Sequence, residues 1–105
     1  KFPGSSYKMV VSEQYRNMKD ILKDVPFVVD YAFEAMKKVG ITPRKASVRG
    51  GTDGSRLSFM GLPCPNLFTG EMAFHSKHEY CSVQDMEKSV KTLVKLSEIW
   101  TGHQK

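Results

Sequence analysis

The sequence predicts an α/β fold in which helices are layered on a sheet with one or more parallel strands, and three observations predict it. Apolar residues recur at helical spacing over 26–39 and again over 86–100. Short β-branched or apolar runs stand between and before these stretches, at 7–12, 46–48 and 62–70. Glycines and prolines punctuate the junctions, so each run is long enough for one strand only. Three short strands cannot complete a sheet, and the remaining neighbours are expected from other polypeptide.

Along the chain, Tyr7-Lys8-Met9-Val10-Val11-Ser12 follows a Pro3-Gly4 turn signal and is predicted as a strand. A polar connection runs through Asn17. Met18 to Lys23 is expected to make a short helical turn, limited by Pro26. The helix predicted over Pro26–Val39 places Val28, Ala32, Met36 and Val39 on one face, joined by Val29 and Ala35. Asp24 is the candidate N-cap, Pro26 suits the first turn, Lys37 and Lys38 oppose the C-terminal dipole, and Gly40 can adopt the left-handed cap. Pro43 prevents resumption.

Ala46–Val48 is the next predicted strand, followed by the elbow Gly50-Gly51-Thr52-Asp53-Gly54 and a helix opening over Ser55–Met60. After Gly61, residues 62–70 read as a turn into a short buried strand, which Pro63 and Pro65 restrict to an edge or a strand start. Ser82 and Asp85 then form a capping-box pair, and Met86, Val90, Leu93, Ser97 and Trp100 repeat at helical spacing as an expected core stripe. Gly102 is expected to close this last helix.

A chain of 105 residues is one small domain with at most a modest core. No apolar run approaches the ~18 residues of a membrane span, so no membrane partner is expected. Lys and Arg outnumber Asp and Glu by 16 to 11, but the lysines alternate with acidic residues as on solvated helix faces, which argues against a nucleic-acid partner. Cys64 and Cys81 have neither pairing nor metal-box spacing and are expected to be buried reduced thiols. The opening Lys1-Phe2-Pro3-Gly4-Ser5-Ser6 carries no apolar export core, so the expectation is a cytoplasmic protein whose natural start lies upstream.

Two segments carry candidate chemistry. In Gly50-Gly51-Thr52-Asp53-Gly54-Ser55-Arg56 the glycines permit close backbone approach, helix-start amides favour an anion, and Arg56 offers a fork for a carboxylate or phosphate. The pattern matches neither the phosphate loop nor the dinucleotide fingerprint, and by itself reads as a tight turn or as an anion site. In His75-Ser76-Lys77-His78-Glu79, two imidazoles and a carboxylate are suitable donors for zinc. The spacing is not that of His-Glu-x-x-His, and the residues read as one metal ligand or as surface groups.

Taken together, 48–58 (Val-Arg-Gly-Gly-Thr-Asp-Gly-Ser-Arg-Leu-Ser), 61–70 (Gly-Leu-Pro-Cys-Pro-Asn-Leu-Phe-Thr-Gly) and His75 through Glu79 resemble the end of the peptidase T family. These are tripeptide aminopeptidases within the two-zinc metallopeptidases that include aminoacylases and glutamate-releasing carboxypeptidases. The resemblance extends back through Gln14-Tyr15-Arg16-Asn17-Met18 and forward through Met86-Glu87-Lys88, nearly the whole chain. It implies that residues 1–16 end a lid (dimerisation) domain, with 7–12 as its last strand, and that 17–105 form the C-terminal portion of a zinc-aminopeptidase catalytic domain, a mixed sheet with flanking helices.

The resemblance also implies the roles. His75 matches the family's late zinc ligand; the other ligands of the two-zinc centre, and the general base, lie upstream of this segment. Arg56 would help hold the substrate carboxylate, Thr69 and Gly70 would line the cleft, Asp53 would brace its loop, and Glu79 would orient a ligand or substrate from behind. Implied partners are short peptides, tripeptides above all, the remainder of the catalytic domain, and a second subunit in a homodimer. Between Gly70 and Phe74 this chain has Glu71-Met72-Ala73 where the family typically has a second glycine and an asparagine. The segment by itself is expected to be inactive. The competing expectation is a non-catalytic module that binds peptides or anions through Arg56 and the net charge of +5.

Overall fold

In the computed structural model, which describes residues 2–103, the order of elements is α1 (Lys19–Leu22), α2 (Phe27–Lys38), α3 (Asp53–Phe59), β1 (Glu71–Met72), β2 (Tyr80–Cys81) and α4 (Val83–His103). Residues 1, 104 and 105, at the outer ends of the two expected domains, lie outside the described residues. Helix and strand are mixed as expected, but the sheet is a single antiparallel pair, with Glu71 opposite Cys81 and Met72 opposite Tyr80.

None of the three predicted strands forms one. Residues 7–12, 46–48 and 62–69 run without helix or strand, and Tyr7, Met9, Val10 and Val11 are exposed. A strand exists only where a neighbour accepts and donates its backbone hydrogen bonds, and these runs have no such neighbour among the described residues.

The helices hold closer to the sequence reading. Ala32, Ala35 and Met36 of α2 are buried, and Val28, Val29 and Val39 are half-buried, as their spacing predicts. Its C-terminus is a Schellman motif: Gly40 is left-handed (φ 82°), its N–H reaches the Lys37 carbonyl at 3.1 Å, and the Ile41 N–H reaches Met36 at 2.9 Å. Its N-terminus departs from expectation, because Pro26 is itself the cap residue in helical geometry and no side chain caps the helix. Asp24 is drawn instead into the turn that follows α1, its N–H bonded to the Ile21 carbonyl at 3.2 Å.

α4 is capped by Ser82, whose Oγ accepts the Asp85 N–H at 3.3 Å. The box is not reciprocal: the Ser82 N–H goes to the Gly70 carbonyl, and the Asp85 carboxylate meets Lys88 at 3.3 Å. Gly102 does not end the helix, which continues through it to His103.

The expected α4 stripe is also corrected. α4 packs on α2 and its buried residues are Thr92 and Ile99, whereas Met86, Val90, Leu93 and Ser97 of the expected stripe are exposed and only Trp100 is half-buried. Thr92 is fully buried without an orphaned hydroxyl, because its Oγ1 donates to the Lys88 carbonyl at 2.8 Å. At the far end Phe27, Tyr31 and Trp100 form an edge-to-face cluster, Tyr31 to Trp100 at 5.1 Å, and His103 stacks on Tyr31 at 4.5 Å. Both cysteines are free, but neither is buried: Cys64 is half-buried, and Cys81 on the edge hairpin is exposed.

Candidate functional site

The Gly50–Phe59 elbow is built from its cap outwards. Thr52 is extended (φ −133°, ψ 157°), and its Oγ1 accepts the Ser55 N–H at 3.2 Å, so α3 starts at Asp53, two residues before the predicted opening. The same Oγ1 accepts Asn66 Nδ2 at 3.1 Å, which ties the elbow to the Pro-rich segment. Ser58, 1% exposed, donates its Oγ to the Gly54 carbonyl at 2.7 Å and accepts the Cys64 N–H at 2.9 Å. A Cβ on Gly54 would stand 2.5 Å from the Cys64 carbonyl oxygen, so a glycine is needed for the two segments to approach.

The polypeptide arriving from the N-terminus closes the other side. Tyr15 lays its ring on Gly51, where any side chain would collide with it. Ser55 Oγ donates to the Arg16 carbonyl, and the Arg16 guanidinium lies 5.4 Å from the centre of the Phe59 ring while pairing with Glu13 at 2.7 Å. That ion pair holds the Glu13 carboxyl below its ordinary range.

Asp53 occupies the first turn of α3, where its charge complements the helix dipole, and makes no hydrogen bond or ion pair among the described residues. Among the described residues the hydrogen bonds that hold the loop come from Thr52, Ser58 and Asn66. Arg56 is exposed in the last turn, without an ion pair among the described residues.

Thr69, Gly70, His75 and Glu79 belong to a second unit, the β1–β2 hairpin and the segment leading into it. Thr69 Oγ1 accepts the Glu71 N–H at 3.3 Å. Gly70 is left-handed (φ 87°), and a Cβ there would come within 2.8 Å of Asp85 Cβ and 3.0 Å of the Met86 N, so it seats the hairpin on the first turn of α4. Ser89 Oγ reaches back to the Phe68 carbonyl at 2.8 Å.

At the tip, Ala73 (φ 53°) and His75 (φ 63°) are both left-handed, a conformation that costs a non-glycine residue free energy and collects at functional loops. The His75 N–H donates to Glu79 Oε2 at 3.0 Å, and its exposed imidazole touches the Phe74 ring edge-on at 5.6 Å. Glu79 thus orients the backbone of His75, not its ring. His78 donates its N–H to Ser76 Oγ at 3.1 Å.

Glu71 and Glu79 face each other across the hairpin. A hydrogen bond between the two carboxyls raises Glu71 and lowers Glu79, which the His75 N–H lowers further.

No hydrogen bond or ion pair joins Asp53 or Arg56 to the hairpin among the described residues. Nor do any three His, Cys, Asp or Glu side chains among them gather closely enough to hold a metal ion. A single exposed imidazole does not make a zinc site, and any centre built on His75 needs donors from other polypeptide. No described helix is long and apolar enough to cross a membrane.

Sequence reasoning missed the Thr52 cap, although a Thr three residues before Ser55 at a helix start carries that signal. The Ser58, Asn66 and Tyr15 contacts carry no local signal at all.

No family model matches the chain. Among curated proteins it is similar to Peptidase T of Parabacteroides distasonis, 46% identical over 97 residues that cover 92% of this chain and 24% of that protein. It is 48% identical to Peptidase T of Aeromonas hydrophila over 103 residues, 95% of this chain and 25% of that protein. Peptidase T of Salmonella arizonae is 43% identical over 102 residues, again a quarter of its own length. The chain spans about a quarter of the length of the curated relatives it matches. Identity of 43–48% over 92–97% of the chain is consistent with a segment of peptidase T.

Proposed function

We propose that the chain is the C-terminal segment of a zinc-dependent tripeptide aminopeptidase. Residues 1–16 end the lid (dimerisation) domain and 17–105 close the catalytic domain. The complete enzyme removes the N-terminal residue of short peptides in the cytoplasm, as a homodimer, and this segment does not act without the remainder of its catalytic domain. The observation that carries the reading is 43–48% identity to peptidase T over 92–97% of the chain.

In this reading each unit has one task. His75, presented on a strained and exposed turn, is one ligand of a two-zinc centre completed elsewhere. When bound, zinc lowers the pKa of a coordinated water and supplies the nucleophile. Glu79 keeps the turn in the conformation that presents the imidazole. Arg56, free of ion pairs among the described residues, takes the substrate carboxylate as a fork, on an elbow that Thr52, Ser58 and Asn66 hold still. Thr69 and Gly70 line the cleft with backbone groups, and Asp53 favours the elbow through the α3 dipole.

The test is a chimera in which this chain replaces the matching 103 residues of the Aeromonas hydrophila enzyme. It should hydrolyse tripeptides with zinc bound. His75→Ala should lower both zinc occupancy and kcat/KM by at least about 100-fold, beyond what loss of a supporting residue produces. Unchanged zinc content and turnover in that variant would remove His75 from the mechanism.

A further inference from the structure

The two long sides of α4 are chemically unlike. At about 100° per residue, Asp85, Ser89, Leu96 and Ile99 lie within about 60° of Thr92, a side covered by the rest of the chain: Asp85 and Ser89 meet the segment of Phe68 and Gly70, and Ile99 is buried. Val83, Met86, Val90, Leu93 and Val94 gather on the opposite side, about 150° from Thr92. This second side is the more apolar of the two and it is bare: Val83 is 69% exposed, Val90 60% and Val94 56%. Glu87 and Lys91 lie to one flank of it, so the apolar band is continuous from Val83 to Val94.

The exposed area says how large the missing partner is. The chain exposes 8949 Å², where a folded monomer of 11.9 kDa exposes about 6,000 Å². Its radius of gyration is 18.9 Å against about 13 Å for a compact domain of this length. The excess of about 3,000 Å² is several times the ~800 Å² that one partner contributes to a standard interface. The stripe from 83 to 94 is only about 17 Å long, so a symmetric pairing of two α4 helices would cover a minor part of it.

We infer that the outward side of α4 is the docking surface for the remaining three-quarters of peptidase T, whether carried on the same polypeptide or on a separate one. The inference rests on the proposed function and adds to it the face through which the catalytic domain closes. Two observations choose this occupant: the chain accounts for only 24–25% of each relative, and the uncovered surface has the size of an obligate interface.

The experiment uses the chimera with a protease site at the junction, so that it folds as one chain and is then cut. The two parts should remain together through gel filtration after cleavage. Val90→Glu with Leu93→Glu should weaken their association at least about 100-fold, since two charges would enter an apolar layer without partners. The same pair of substitutions should leave the helical circular dichroism of the 105-residue chain unchanged, both side chains being exposed there. If helix is lost, single Val90→Lys is read instead. Lys91→Glu on the charged flank should change association by less than about threefold.

Parts that separate without any substitution, or that stay together despite it, overturn the inference. A discrete dimer of the chain alone, abolished by the double substitution, assigns the face to a second copy and equally overturns it. A cut chimera that stays together but hydrolyses no tripeptide leaves the docking face standing and counts against the catalytic reading.

Discussion

The Gly50–Phe59 elbow and the His75 hairpin are both loops with candidate chemistry, but they are held by opposite means. The elbow is braced on every side by its own chain, through Thr52, Ser58, Asn66 and the Tyr15 ring on Gly51. The hairpin has a two-residue ladder, two left-handed non-glycine residues and an exposed imidazole. A site that positions a substrate must be rigid before the substrate arrives. One that offers a ligand to a shared centre can wait for the other donors to complete it.

Four substitutions probe that contrast. Gly54→Ala should be the most damaging, destabilising α3 by about 3 kcal/mol, because the Cβ meets the Cys64 backbone carbonyl, which cannot swing aside, as well as Asn66 Oδ1. Loss of amide-exchange protection across α3 measures it, and unchanged protection would mean that the elbow yields easily. Ser58→Ala should cost about 2 kcal/mol by the same measurement, since it strands the Cys64 N–H.

In the hairpin the sign reverses. His75→Gly should leave the fold intact or stabilise it by about 1 kcal/mol by relieving the left-handed conformation, while removing the proposed ligand. Destabilisation there would show that the imidazole braces the loop.

The smallest effect concerns Glu71 and Glu79. Glu71 is raised, so its contribution is present at low pH and fades as pH rises through its folded value. Glu79 is lowered, so its contribution is present above the ordinary carboxylate range and fades as pH falls through its folded value. The hairpin should therefore be most ordered in the acid range between the two. Glu71→Gln should abolish the upper of the two inflections in the His75 amide chemical shift, and a curve unaltered by that change would separate the two carboxyls.

What was legible in the sequence follows from range. The α2 face, the Gly40 cap and the Ser82 cap depend on residues within about one turn of each other, and each was readable. The two loops were readable as motifs. Misread were the strands, because a strand needs a neighbour that 7–12, 46–48 and 62–69 do not have among the described residues. The α4 stripe failed for a related reason: both of its sides carry apolar residues at helical spacing, and periodicity cannot say which side α2 takes.

The sequence by itself determined that four stretches are helical, which face of α2 is buried, the caps at Gly40 and Ser82, and the resemblance to a quarter of peptidase T. Only the tertiary structure decided that Thr92 and Ile99 are the buried residues of α4, that Tyr15 covers Gly51, and that Cys64 closes on Gly54. The physical reason is that capping and periodicity act over a few residues. Which surfaces meet is set instead by the close approach of backbone segments distant in the chain, where a single Cβ or an unpaired N–H decides whether they fit.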